Sequence, residues 1–135
     1  MKTIDTKIKY LEMLQAVISR MNANSFAVKN WFMVSVGGLT AIFFKDGKIE
    51  LLGLALVMTL AFYMYDVFYL WLERCYRQKY DKALKDESDL FDMDICDIKK
   101  GTSMGSVMNS PSLTIYKIAG IILIILVIGK MVCIK

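Results

Sequence analysis

The chain contains no histidine among its 135 residues. That removes the commonest general base and the commonest neutral metal ligand. Its three cysteines, Cys75, Cys96 and Cys133, are scattered and share no CxxC spacing. Neither a zinc site nor a disulfide framework follows from such an arrangement, and reduced thiols in or beside the cytoplasm are the plain reading. No basic block is present: 17 Lys and Arg are dispersed among 13 acids, for a net charge of +4. Direct nucleic-acid binding is therefore not expected. No nucleophile motif or metal-ligand spacing appears, so we expect no enzyme, no catalytic or metal-binding residue and no cofactor. No cleavable signal peptide is visible either. Residues 1–27 are polar and amphipathic, and the apolar run after them lacks a small-residue cleavage site. Membrane insertion is expected to use the helices themselves.

What the chain does have is apolar residues in blocks. It is 56% hydrophobic, with a mean hydropathy of +0.46, above the apolar share of ordinary soluble domains. Three stretches hold most of the excess, and charged segments separate them. The expected fold is a single all-α membrane domain over residues 1–135. It comprises an N-terminal amphipathic helix, a transmembrane hairpin with a long projecting second helix, an acidic cytoplasmic loop and a third transmembrane helix.

Residues 4–24 carry Ile4, Ile8, Leu11, Leu14, Ile18 and Met21 at steps of three and four, the signature of an amphipathic helix. Ile4, Leu11 and Ile18 share one heptad position, and Leu14 and Met21 another, but Lys7 breaks the second series. Two readings stay open: packing on the protein's own helices, or contact with the membrane interface or another subunit. Residues 28–44 form the first span. It is short against the roughly 20 residues a span needs, so it recruits residues 26–30 or thins the bilayer. Gly37, Gly38 and Ala41 give it a small-residue surface suited to close helix packing, although Gly is also common in membrane helices generally.

Lys45-Asp46-Gly47-Lys48 reads as a tight turn, which makes the flanking helices antiparallel neighbours. The second span covers residues 49–72 and continues as a cytoplasmic helix to about residue 85. Between Leu54 and Leu84 there is neither Gly nor Pro. That is roughly 46 Å of helix against a hydrocarbon core of roughly 30 Å. Tyr63, Tyr65, Tyr69 and Trp71 cluster near its exit as an aromatic belt. Glu73–Arg77 and Asp81–Lys85 are acid-before-base pairs at i,i+4.

Residues 86–112 read as an acidic loop and linker, with Asp86, Glu87, Asp89, Asp92, Asp94 and Asp97. Phe91, Met93 and Ile95 alternate with polar neighbours, which fits either a short strand or a solvated loop. Gly101–Ser110 reads as a flexible linker. Ser110-Pro111 is placed to start a helix, with Ser as N-cap and Pro first inside. The third span covers residues 113–134, with Lys117 and Lys130 snorkelling toward opposite headgroup regions.

One polar pair stands out. In a hairpin turning at Gly47, residues whose numbers sum to about 95 face each other, and Lys29 and Asp66 do so. A charge within a membrane helix is a functional-site hypothesis with its partner named. The pair is either a salt bridge that fixes hairpin register or a gate. Asn22, Asn24, Ser25 and Asn30 add polar groups that would complete a polar vestibule. Arg74, Arg77, Asp92 and Asp94 are candidates for contact with a partner or signal.

The run Tyr10–Met21, followed by Asn24-Ser25-Phe26 and Lys29-Asn30-Trp31, resembles a pattern found in small bacterial membrane proteins. So do Asp66–Leu70, Glu73-Arg74, Tyr76-Arg77, Tyr80-Asp81, the 91–93 segment and the final apolar helix. Their general shape is similar to the two-helix membrane effectors, such as SLATT proteins, that accompany nucleotide-signalling or CRISPR defence modules. The resemblance implies a self-associating effector of the bacterial inner membrane in antiphage defence, one that forms a pore or disrupts the bilayer. Its implied partners are the lipid bilayer, further copies of itself, and a cytoplasmic defence protein or nucleotide signal. The alternative is a non-conducting membrane anchor or scaffold for a soluble partner.

Charge bias sets the expected orientation. Lys2, Lys7, Lys9, Arg20 and Lys29 precede the first span, and Arg74, Arg77, Lys79, Lys82, Lys85, Lys99 and Lys100 follow the second. The 45–48 turn and the C-terminal end each carry two. By the positive-inside rule the N-terminus and the middle segment are cytoplasmic, and the turn and C-terminus lie outside. A C-terminal fusion to a reporter active only in the cytoplasm is therefore expected to stay silent. Strong reporter activity would sink the three-span topology.

Overall fold

The computed structural model of the chain describes residues 2–85 and 91–133. Among these residues the chain is all-helical, with no strand, and three helices are long and apolar enough to cross a membrane. Helix α1 runs from Lys2 to Asp46 and α2 from Ile49 to Leu84. Two short helices follow, α3 (Cys96–Gly101) and α4 (Met104–Met108). A 3₁₀ turn at Pro111–Leu113 then leads into α5 (Thr114–Cys133). Asp86, Glu87 and Asp89 of the acidic stretch lie outside the described residues.

The amphipathic segment and the first span are one helix, without a break between residues 24 and 28. The seven-residue series of Leu11 and Ile18 continues through Ser25, Phe32 and Leu39. Ser25 and Phe32 are buried and the other three are half-buried or packed on the core. On α2, Leu52, Thr59, Asp66 and Glu73 are all buried, again seven apart. Two helices that bury residues at a period of 3.5 supercoil gently about a shared seam. The hairpin is therefore an antiparallel pair whose seam carries heptad-spaced buried residues, with one core position on α2 that turns from apolar to polar and charged.

The expected stripe of the N-terminal segment is divided. Leu14 is fully buried with Tyr10 against Ala83, whereas Ile4 and Ile8 remain exposed. Helix α2 ends at Leu84, which in a hairpin turning at Gly47 is level with Leu11, so the seam between the two helices stops short of Ile4 and Ile8.

Gly47 closes the hairpin with φ of 68°, and its N–H donates to the Phe43 carbonyl at 2.8 Å. A left-handed residue this tight favours glycine. Helix α5 packs chiefly on α2. Its start meets α1 and α2 at Phe32 and Tyr63, whose rings lie 4.5 and 6.0 Å from that of Tyr116. Its far end reaches the turn, where Lys130 Nζ would lie 3.5 Å from a Cβ placed on Gly47. At 1.5 Å per residue, α1 and α2 are about 68 and 54 Å long and α5 about 30 Å. With α5 ending level with the turn, the excess of α1 and α2 projects on one side as a two-helix stem.

The segment read as loop and linker is built instead from the two short helices α3 and α4. It descends along the projecting part of α2 back toward α5. Ile95 and Ile98 bury Cys75. Trp71 Nε1 donates to the Thr102 carbonyl at 2.9 Å, and Thr102 Oγ1 meets Gln78 at 3.2 Å. Buried apolar anchors at every few residues outweigh the Ser/Gly/Asn composition that suggested a flexible linker. At Ser110 it is the backbone carbonyl, rather than the side chain, that accepts from Leu113 at 3.0 Å.

Candidate functional site

Three helices meet at one buried polar cluster. Lys29 Nζ lies 2.6 Å from Asp66 Oδ2. Ser25 Oγ donates to Asp66 Oδ1, and Lys29 Nζ donates to Ser25 Oγ at 2.8 Å. Ser25 and Lys29 are one turn apart on α1, so both reach across to α2 at the same level. Asp66 is fully buried, while the Lys29 side chain keeps 20% exposure. The carboxylate is thus held inside the bundle, and the ammonium reaches it from the edge. Among the described residues Asp66 Oδ2 has no hydrogen-bond partner beside this ion pair.

Tyr116 on α5 completes the cluster. It is buried against Phe32 and Tyr63, and its hydroxyl has no hydrogen-bond partner among the described residues. Sequence reasoning missed it, because a tyrosine near the start of a span reads as an interfacial ring. The signal that would have found it is its place one residue before Lys117, at the level where Lys29 and Asp66 enter the bundle.

The other expected vestibule residues do not join. Asn22 and Asn30 face outward and Asn24 is half-buried. Among the described residues one chain therefore forms a closed knot of Ser25, Lys29, Asp66 and Tyr116, which Asn22, Asn24 and Asn30 do not extend into a polar chamber. Between the knot and the turn the interior is filled by Phe32, Val36, Phe43, Leu52 and Leu123, and the buried Thr59 there spends its hydroxyl on the Ala55 carbonyl at 2.7 Å.

The small residues are also distributed. Gly37 and Ala41 line a groove between α1 and α5, while Gly38 lies outside its lining. A Cβ at Gly37 or Gly38 would meet nothing within 4 Å, so neither is needed for packing within one chain.

Arg74, Arg77, Asp92 and Asp94 do not form a common surface. Arg77 is bound to Glu73 at 2.7 Å and Arg74 reaches Ser106 at 3.5 Å. The second expected i,i+4 pair, Asp81–Lys85, makes no ion pair. Asp92 and Asp94 build a latch. Buried Lys79 donates to Asp92 Oδ2 and, at 3.0 Å, to the Asp94 carbonyl. The Tyr10 hydroxyl donates to the Asp92 carbonyl, and the Tyr10 and Phe91 rings lie 5.9 Å apart. Each aspartate also accepts from a backbone N–H two residues on, Asp94 to Asp92 and Cys96 to Asp94, both at 2.9 Å. These Asx turns account for the apolar/polar alternation at 91–95 without any strand. Lys79, and then the Asp94 N–H, hold the Asp92 carboxyl below its ordinary range. Cys96 does the same for Asp94.

Removing one member of a buried ion pair costs about 3–5 kcal/mol, whereas replacing both by apolar residues is often neutral. Asp66→Ala is expected to lower membrane accumulation and thermal stability by that order. Lys29→Met with Asp66→Leu is expected to recover most of the loss. A neutral Asp66→Ala would make the pair incidental. The latch generates a second expectation. A carboxyl lowered in the folded state stabilises above its unfolded pKa, and that stabilisation fades as pH falls through the lowered value. In a Trp31→Phe background, Trp71 emission is expected to hold from pH 7 to about 5 and to shift only below about 4. Lys79→Met should shift it already at pH 7, and an unchanged spectrum there would exclude the latch as the anchor of this segment.

No protein-family model, no curated protein and no solved structure matches the chain.

Proposed function

We propose that the chain is a self-associating effector of a bacterial inner membrane, with its N-terminus and stem in the cytoplasm. In this reading a cytoplasmic defence protein or nucleotide signal acts on the stem, and assembled copies perturb or perforate the bilayer. The observation that carries self-association is on the stem. Ile4 and Ile8, one turn apart on the same face, remain 65% and 49% exposed, about 32–38 Å along α1 from Lys29. Outside the hydrocarbon layer, large apolar side chains on one helix mark a surface that another protein covers.

The apolar interior between the knot and the turn supports placing any ion path between copies, because one chain offers ions no polar route. The stem supports the signalling role. α1 and α2 run without a break from its tip to the turn, so a change in their pairing at the tip is carried to Lys29 and Asp66. The resemblance in the sequence supplies the antiphage setting. A second reading, a non-conducting anchor, is favoured by the packed 91–108 segment, which gives the stem a firm third side for a soluble partner.

Subunit count and leakage separate the two. The full chain in lipid vesicles is expected to assemble into more than one copy and to release a trapped dye. Ile4→Ser with Ile8→Ser should reduce both, with helicity unchanged. A monomer that leaks nothing would favour the anchor and end the effector reading.

A further inference from the structure

Helices α1 and α5 both lean on α2 and leave an apolar groove of about 530 Å³ between them. Gly37 and Ala41 on one wall and Ala119 on the other lack the bulk to fill it. Its wall on α1 runs from Phe32 to Phe44, about 18 Å by helical rise, close to one leaflet of a hydrocarbon core about 30 Å thick.

The two ends differ. At the Phe32 end the groove is stopped by the Phe32 and Tyr116 rings, 4.5 Å apart. Behind them Lys29 is already bound to Asp66 and Ser25. At the Phe44 end lies the hairpin turn, with Lys45 and Lys48 on either side of Gly47 and Lys130 drawn over it. Asp46 and Glu50 share this end, leaving three cations against two acids. Among the described residues none of the five makes an ion pair. A ligand that fits must be apolar over about one leaflet and anionic at the turn.

We propose that the groove holds one acyl chain of an anionic phospholipid, with its phosphate against Lys45, Lys48 and Lys130. The site lies in the leaflet on the side of the turn. A zwitterionic lipid fills the groove equally well but brings its own ammonium to the lysines, so the charge balance selects the anionic class. The proposal stands whether the chain acts as an effector or as an anchor, since it concerns one copy and one lipid.

Native mass spectrometry of the full chain, released from nanodiscs of mixed phosphatidylglycerol and phosphatidylethanolamine, tests it. Retained phosphatidylglycerol is expected to be enriched at least five-fold over the bulk ratio. Substituting Lys45→Gln, Lys48→Gln and Lys130→Gln together should return retention to the bulk ratio. Ala119→Phe, which fills the groove and leaves the lysines alone, should do the same. Millimolar inorganic phosphate should not displace the lipid. Retention at the bulk ratio in the wild-type chain overturns the proposal, as does enrichment that survives the lysine substitutions. Displacement by phosphate alone would mean that the groove plays no part. A lipid-free dimer that Ala119→Phe breaks would assign the groove to a second copy. Circular dichroism of each variant separates loss of lipid from loss of fold, and the three lysine substitutions keep the test decisive if Ala119→Phe does not fold.

Discussion

The ion pair between Lys29 and Asp66 is the constraint on which the rest of the structure hangs. Most of the α1–α2 seam is apolar and tolerant. Sliding the helices by one heptad would still bring Phe, Leu and Val into contact, at a modest loss of fit. The same slide would set Asp66 opposite Asn22 or Val36 and leave Lys29 without its carboxylate. An unpaired charge in a low-dielectric bundle costs several kcal/mol, more than the repacking. Apolar contacts supply the bulk of the association energy, and the charge pair chooses among registers that those contacts nearly accept. A polar group at one core position of a coiled coil has this effect generally.

From that register follow the elements that dock later. Tyr116 fits where it does because Phe32, Tyr63 and Asp66 are brought to one level, and Tyr116 in turn sets the height of α5. With its start fixed, the length of α5 carries Lys130 to the turn. At the end away from the turn the same register aligns Tyr10 with the end of α2, so that Asp92 can be held by Tyr10 and Lys79 together. The latch is thus a consequence of hairpin pairing as well as a contact of its own. A segment joined to both helices at the stem tip resists their separation.

The parts legible in the sequence were those written in long runs. Block hydrophobicity gave three apolar helices, the absence of Gly and Pro from residue 54 to 84 gave an unbroken α2, and the arithmetic of a short turn brought Lys29 to Asp66. What stayed hidden depends on side chains turning inward against their type. Ser25, between Asn24 and Phe26, looked like one polar residue among several, and only tertiary packing separates it from Asn22 and Asn30. The aspartates at 92 and 94 read as solvated acids, yet both accept backbone N–H groups and Asp92 neutralises a buried lysine. Tyr116 was obscured by the ordinary preference of its ring for the interface. α1 was read as two segments because the polar stretch at residues 22–25 interrupts the hydrophobicity, although nothing in it breaks a helix.

The pair also bears on how the bundle fits a bilayer. From Lys29 to Lys45 is only about 24 Å of helix, less than the roughly 30 Å of a hydrocarbon core. Were Lys29 a free charge, it would set the inner edge of the apolar surface there, and the membrane would have to thin to meet it. Bound to Asp66, it presents a neutral, largely enclosed pair, and the lipid-facing surface continues past it. Phe26 on α1 and Phe68 on α2 are exposed at or beyond that level. The apolar surface of α1 from Phe26 to Phe44 is then about 27 Å long, within reach of an unthinned bilayer. Breaking the pair would therefore act twice, by releasing the register and by moving the boundary at which the protein meets the membrane. Any signal that separates α1 from α2 at the stem would be felt in the bilayer through this one contact.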